Sequence, residues 1–450
     1  MDIDTLHPVK WSRPGHDRTT DGVPGTYKVD DKGRIEVHIH DTWDGNASFA
    51  FAPDPEFPTM LHGEVFREAV TLVDCQVVSS KTTTTSQQDV VLRPRYAIEG
   101  GFFLDPDELS LTDVHLRFTD QDAWTEWDAF AVNQERSSVG LDEAMSTFVR
   151  PADREVRVNG GTLRLVDDSY VRQDVGAHRW VLQSRSRFEV HVDNPVAIDE
   201  LMSRYAYPLQ VLLLSATGRM PGLMSMRGTN TAWAFKDGGD PQVSRWATVR
   251  CFHGGDGNLP SGSIRYLHRL QDLDFTTHLP RIFDAVEAHR YSFEHFAAIH
   301  SEKAGGHLSR FVALTQLVDS FDRSLHPDDR GHRSFDGRLK RLEDESGNLI
   351  DSVVGNRLWR NQIRRLRNIV VHGDESAPHL VRDPRPLVAG SEILLLLFEI
   401  RFLVEIGFAS DAAKSLVEKR GTHWRITSTI KENYPHLVSL VKKHPETADD

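Results

Sequence analysis

Ser352-Val-Val-Gly-Asn-Arg-Leu-Trp-Arg-Asn-Gln-Ile-Arg-Arg-Leu-Arg-Asn-Ile-Val-Val-His-Gly373 is the stretch whose reading decides the carboxy-terminal half. Trp359, Ile363, Leu366 and Val370 recur at i, i+4, i+7 and i+11, the spacing of one apolar helix face. The spacing predicts a helix over Ser352–Val371, stopped at His372 because Gly373 suits a helix C-cap. Arg357, Arg360, Arg364, Arg365 and Arg367 surround the stripe and form the densest basic cluster of the chain. Asn368 and His372 are i, i+4 neighbours on one face. Arg367 lies about 140° round from His372 in a regular helix, so convergence of the two needs a long side chain or a loosened last turn.

Working outward, helical periodicity extends over Ile282–His300, Leu308–Leu325, Ser334–Glu345, Arg385–Gly407 and Asp411–Arg420. The first half instead alternates with a period of two, the mark of half-buried strands. Ile35, Val37 and Ile39 share one face, as do Val114, Leu116 and Phe118, and Phe188, Val190 and Val192. Asn159-Gly160-Gly161 joins two such strands as a hairpin. A helix is expected from Asn194-Pro195 through Leu212, kinked or split at Pro208. Strands resume near Arg245–Phe252, followed by a Gly-rich loop over His253–Ser263. Thr82–Gln88 reads as a polar loop or edge. The fold class is therefore α+β and multidomain. A β-rich region of sandwich or barrel-like sheets with one or two helices spans 1–275, with room for two subdomains divided near 150. An all-helical bundle spans 276–450.

Composition narrows the function. The 450 residues carry a formal net charge of −13, which argues against non-specific coating of nucleic acid but leaves room for a local basic patch. Two cysteines, Cys75 and Cys251, exclude a disulfide framework and point to a reducing cytoplasm. No apolar run approaches the roughly 18 residues of a membrane span, and the polar, acidic amino terminus lacks the pattern of a secretory signal.

Arg367-Asn368, three apolar residues and His372 at the end of an amphipathic helix resemble the motif of HEPN ribonucleases. Leu314-Thr-Gln-Leu-Val-Asp-Ser-Phe-Asp-Arg323 and the apolar helix before Gly407 resemble the ApeA-like branch of antiphage HEPN proteins, with Asp319 where glutamate is commoner. Leu61-His-Gly-Glu-Val65 and Val73-Asp-Cys-Gln-Val77 are similar to the β-rich sensor region of that branch. The resemblance implies cleavage of RNA, tRNA included, without metal or cofactor. The ribose 2′-hydroxyl attacks the adjacent phosphate and leaves a 2′,3′-cyclic phosphate. His372 would move protons and Arg367 would hold the phosphate. Asn368 would orient either partner, Asp319 would fix the imidazole or the arginine, and Arg360, Arg364 and Arg365 would contact RNA. The resemblance also implies a homodimer or higher oligomer through the helical domain, and a phage-derived trigger at the amino-terminal region.

Blander readings stand beside these. Arg367 could cap a helix end, His372 could fill a groove, and the other arginines could pair with acids on neighbouring helices. The domain could be an inactive RNA-binding or interaction module, or a dimerisation unit under a lectin-like or peptide-binding β region. His38-x-His40 reads as a solvent-facing strand surface rather than a metal site, and Trp124 and Trp127 as core. The Gly-rich loop at His253 lacks the Lys of a phosphate loop.

Overall fold

The computed structural model describes residues 5–16, 18–30, 34–40, 59–82, 88–137, 140–174, 179–230, 246–251, 266–301, 306–329, 334–372, 380, 382–419 and 423–443. It is an α+β chain, β-rich over its first 250 or so residues and helical after that. Two compact units emerge: Met1–Tyr207 with Pro221–Pro260, and Pro208–Met220 with Ser261–Asp450. The Gly-rich loop at His253–Ser263 and most of Thr82–Gln88 lie outside the described residues.

Two large antiparallel sheets build the first unit. One has five strands in the spatial order His7–Trp11, Val23–Val29, Ile35–Ile39, Gln88–Arg93, Gln76–Thr82. The other has nine strands, with Ser186–Ala197, Ser110–Phe118 and Leu223–Thr229 at its centre. Alternation fixes which face each strand buries. Ile35, Val37 and Ile39 are buried, as are Val114, Leu116, Phe118, Phe188, Val190 and Val192. Trp11, Tyr27 and Val37 of the five-stranded sheet share one core with Leu61, Leu72 and Ala97 of the nine-stranded one. The hairpin at Asn159 is tighter than expected: Val158 pairs with Gly161, so only Asn159 and Gly160 form the turn, both with positive φ (48° and 75°).

Local signals misplaced one helix start in this region. Asn194-Pro195 lies in the strand, which continues to Ala197 because Val196 pairs with Leu111 some 85 residues earlier in the chain. Helices α1 (Arg18–Asp21), α2 (Gln121–Thr125) and α3 (Ile198–Leu201) are short. A π-helical turn, Met202–Ala206, follows α3 and leads into α4 (Tyr207–Thr217). That wider turn directly precedes Pro208, which has no N–H to offer.

The second unit adds α5 (Phe275–Ala288), α6 (Arg290–Ser301), α7 (His307–Leu325), α8 (Phe335–Glu345), α9 (Leu349–Val354), α10 (Trp359–His372), α11 (Arg385–Glu405), α12 (Ser410–Lys419) and α13 (His423–Lys443). Two expected helices are each divided. Ile282–His300 breaks at His289, whose imidazole is buried against the Ser324 hydroxyl at 2.7 Å. Ser352–Val371 breaks after Val354, where Gly355 adopts φ 78° and ends α9. Helix α13 was not anticipated. Pro435 sits inside it, yet Ile430, Tyr434, Leu437 and Val441 form a buried stripe.

Helix α11 is the axis of this unit. It is buried on nearly every side from Pro386 to Leu403, the charged Glu399 and Arg401 included, and Arg401 pairs with Glu345 and Glu405 at 3.0 and 3.1 Å. Phe398 and Phe402 pack against Phe293 at centroid distances of 6.0 and 5.2 Å, and Phe398 meets Phe321 at 5.0 Å. No helix among the described residues is long and apolar enough to cross a membrane. At Gly390 a Cβ would lie 2.7 Å from the Phe311 ring and 3.1 Å from Leu366, so glycine is what lets α11 approach α7 and α10. Alanine favours helices over glycine by about 1 kcal/mol. Gly390→Ala is nevertheless expected to lower stability by about 1–3 kcal/mol through overpacking. Urea unfolding measures it, and a stabilised variant would show that the helices part without cost.

Candidate functional site

Helix α10 begins at an anchored end. The Asp351 carboxylate, mostly buried, accepts a hydrogen bond from the Trp359 indole N–H at 2.8 Å. Arg357 and Arg360 lie 3.4 and 3.5 Å from the same carboxylate. Trp359, Ile363 and Leu366 are fully buried, as their spacing requires. The fourth member of the stripe is Ile369; in Val370's stead it turns inward as the more deeply buried of the two under a one-residue rotation that a 3.6-residue period allows over three turns.

Beneath that end lies Glu343 of α8, which is fully buried. Its Oε1 accepts the Asp351 backbone N–H at 2.8 Å, while Oε2 has no hydrogen-bond partner among the described residues. Burial, with a lesser contribution from the Asp351 charge, raises its carboxyl from 4.5 to about 7, against the opposing pull of backbone hydrogen bonds and Arg360.

The basic cluster divides into two kinds of arginine. Arg357 and Arg360 face Asp351, and Arg364 lies 3.7 Å from Asp336 and donates to Asn361. These three are paired with acids in the ordinary way of a helix surface. Arg365 and Arg367 have no carboxylate partner among the described residues. The Arg365 Nε is buried without a hydrogen bond among those residues. Arg367, half-buried, places its Cζ 4.9 Å from the centre of the Phe335 ring. Asn368 is also half-buried. His372 is the last residue of α10.

Asp319 sits on α7 with each oxygen committed to a guanidinium: Oδ1 to Arg338 of α8, Oδ2 to Arg323 one turn on at 3.0 Å. One turn along, the fully buried Asp322 takes two bonds from Arg341, at 2.9 and 2.5 Å. Arg341 also reaches Asp329 at 2.5 Å. Three carboxylates and three guanidiniums thus balance along the α7–α8 seam. Removing one of the buried or mostly buried members, Asp322, Arg338 or Arg341, strands an opposite charge and costs roughly 3–5 kcal/mol, whereas the exposed Arg323 contributes little. Asp319 and Arg367 meet α8 at different residues, one at Arg338 and the other at Phe335.

Phe335, Arg338, Glu343 and Asp351 were not singled out from the sequence. The legible signal for Arg338 was a pair of ladders: Asp319 and Asp322 three apart on one helix, Arg338 and Arg341 three apart on the next. Among the described residues no group of three or more His, Cys, Asp or Glu could hold a metal. His38 and His40 each meet a carboxylate instead, Glu36 and Asp89, at 2.6 Å. Trp124 is fully buried. Cys75 packs against the core, and burial pushes its thiol up to about 12.

The β unit carries a family signal of its own. Residues 9–217 match the family described as ApeA N-terminal domain 1. The match supports an ApeA-like defence protein. It covers the five-stranded sheet, most of the nine-stranded sheet and helix α4. No curated protein and no solved structure matches the chain.

The carboxyl of Glu343 titrates higher folded than free, so the folded state binds its proton more tightly. Its stabilisation is complete below about pH 4.5 and is lost as pH rises through about 7. The loss is on the order of 3 kcal/mol. Glu343→Gln should remove that slope. Urea unfolding at pH 5 and pH 7.5, compared between wild type and variant, measures it; equal slopes would show that Glu343 is not the titrating group.

Proposed function

We propose that the chain is an antiphage endoribonuclease whose helical unit is a HEPN domain and whose ApeA-like β unit restrains or triggers it. The observation that carries this reading is the agreement of two separate regions. The ApeA N-terminal domain match lies within 9–217, and Arg367-Asn368-x-x-x-His372 ends a basic helix more than a hundred residues later. The pairing of the arginines adds to it. Arg367 keeps its N–H donors clear of any carboxylate among the described residues, as a phosphate-binding guanidinium requires.

In this reading a 2′-hydroxyl of the bound RNA attacks the neighbouring phosphate, and the 5′-oxygen leaves. His372 transfers a proton, and Arg367 stabilises the charge that builds on the phosphorane oxygens. Asn368 orients the arginine or the RNA, and Arg365 supplies a second phosphate contact. Arg360 and Arg364, already paired with acids, contribute less to RNA affinity. Asp319 acts through Arg338 and Arg323. The RNA, tRNA included, supplies its own nucleophile, so DNA is not cut. The protein works in the cytoplasm as a homodimer through the helical unit, released by a phage-derived trigger.

The test is cleavage of cellular RNA by the purified full-length protein, with end-group analysis. Products should carry 2′,3′-cyclic phosphate, and activity should persist in a chelator of divalent cations. His372→Ala and Arg367→Ala should each lower kcat by roughly a hundred-fold or more. Wild type that binds RNA as its variants do, yet leaves it intact, would establish a binding module instead.

A further inference from the structure

We infer that Phe335 is a positioning residue for Arg367: its ring holds the guanidinium by the face, leaving the N–H edge for an RNA phosphate. The inference rests on the nuclease reading above and names how that site is prepared.

Three observations carry it. First, the Arg367 Cζ lies 4.9 Å from the ring centre, within the range at which a cation is drawn to an aromatic face. Second, Phe335 is itself immobilised. It is buried, it is the first residue of α8, and it follows Ser334, which stands at the N-cap. Third, Arg367 differs from the other arginines of α10 and from Arg357 just before it. Arg357, Arg360 and Arg364 each have a carboxylate near one guanidinium nitrogen, at 3.4, 3.5 and 3.7 Å, which competes with a phosphate for the charge. A ring makes a different demand. It attracts the charge without accepting a strong hydrogen bond, so the ring itself takes up none of the five donors of the fork.

The ring also ties two elements together. Phe335 and Arg338 are i, i+3 on α8, both buried, and Arg338 binds Asp319 of α7. The first turn of α8 therefore touches α10 through an aromatic contact and α7 through an ion pair. A shift of α8 along its axis would move the support of Arg367 and the partner of Asp319 at once. Arg338 is thereby a second positioning group, linked to Arg367 through one helical turn rather than by contact.

The experiment varies the ring's electron density without varying its shape. Phe335 is replaced by trifluorophenylalanine through codon suppression in the full-length protein, and by Phe335→Tyr and Phe335→Leu. Cleavage kinetics are read with an RNA substrate, and affinity with the same RNA bearing a 2′-deoxy residue at the cut. Fluorination and Phe335→Leu should each lower kcat by about five- to tenfold with a smaller change in KM, as a weakened cation–ring attraction would. Phe335→Tyr should stay within about twofold, since its ring keeps the negative face. In the Arg367→Ala background, fluorination should leave affinity for the deoxy RNA unchanged, whereas a purely structural role would lower it there too.

A fluorinated protein with wild-type kcat overturns the inference while leaving the nuclease reading intact. The fluorinated ring fits the same space, so that outcome stands whether or not Phe335→Leu folds. Absence of cleavage by wild type, or full cleavage by both His372→Ala and Arg367→Ala, defeats the nuclease reading and this inference with it.

Discussion

A single helix with no solvent face organises the carboxy-terminal unit. Because α11 is apolar over most of its circumference, it must be enclosed, and α7, α10 and α13 close around it. Enclosure at close range needs a helix without a side chain where neighbours press hardest, and Gly390 supplies that point against Phe311 and Leu366. Leu366 lies one residue before Arg367, so the packing that fixes the core also fixes the azimuth of the basic helix. The stripe Trp359, Ile363, Leu366 and Ile369 turns inward, and the arginines are left along the flanks.

Charge is then closely matched. The chain carries an excess of acid, and several of those acids neutralise arginines inside the helical unit: Asp322 and Asp329 meet Arg341, Asp351 meets Arg357 and Arg360, and Asp336 meets Arg364. Among the described residues, Arg365 and Arg367 are left without a carboxylate partner. An acidic protein with a local basic cluster repels polymeric anions over most of its surface and leaves that cluster as the place where a few phosphates meet least repulsion.

Much of the architecture was legible because it depends on local periodicity. Ile35, Val37 and Ile39 alternate, and they are buried; Phe311, Leu314, Val318 and Phe321 recur at helical spacing, and they face the core. Legibility ended where distant residues decide. The strand through Asn194-Pro195 is held by Val196 pairing with Leu111, which no local rule anticipates. The break at His289 follows from a buried imidazole meeting Ser324 on another helix. Within the candidate site, Arg367 and Asp319 could be named from motif and spacing alone. That a ring and a guanidinium from α8 support them could not, because α8 reads simply as a short polar helix with basic residues.

The contact between Phe335 and Arg367 has a meaning for how such chains diverge. A lineage that gave up the guanidinium would free the ring from selection, and any bulky apolar residue could then cap the start of α8. A lineage that kept the guanidinium would tolerate tyrosine there but resist aliphatic drift. On the positioning role proposed for Phe335, the two positions would then change together, although they lie on separate helices.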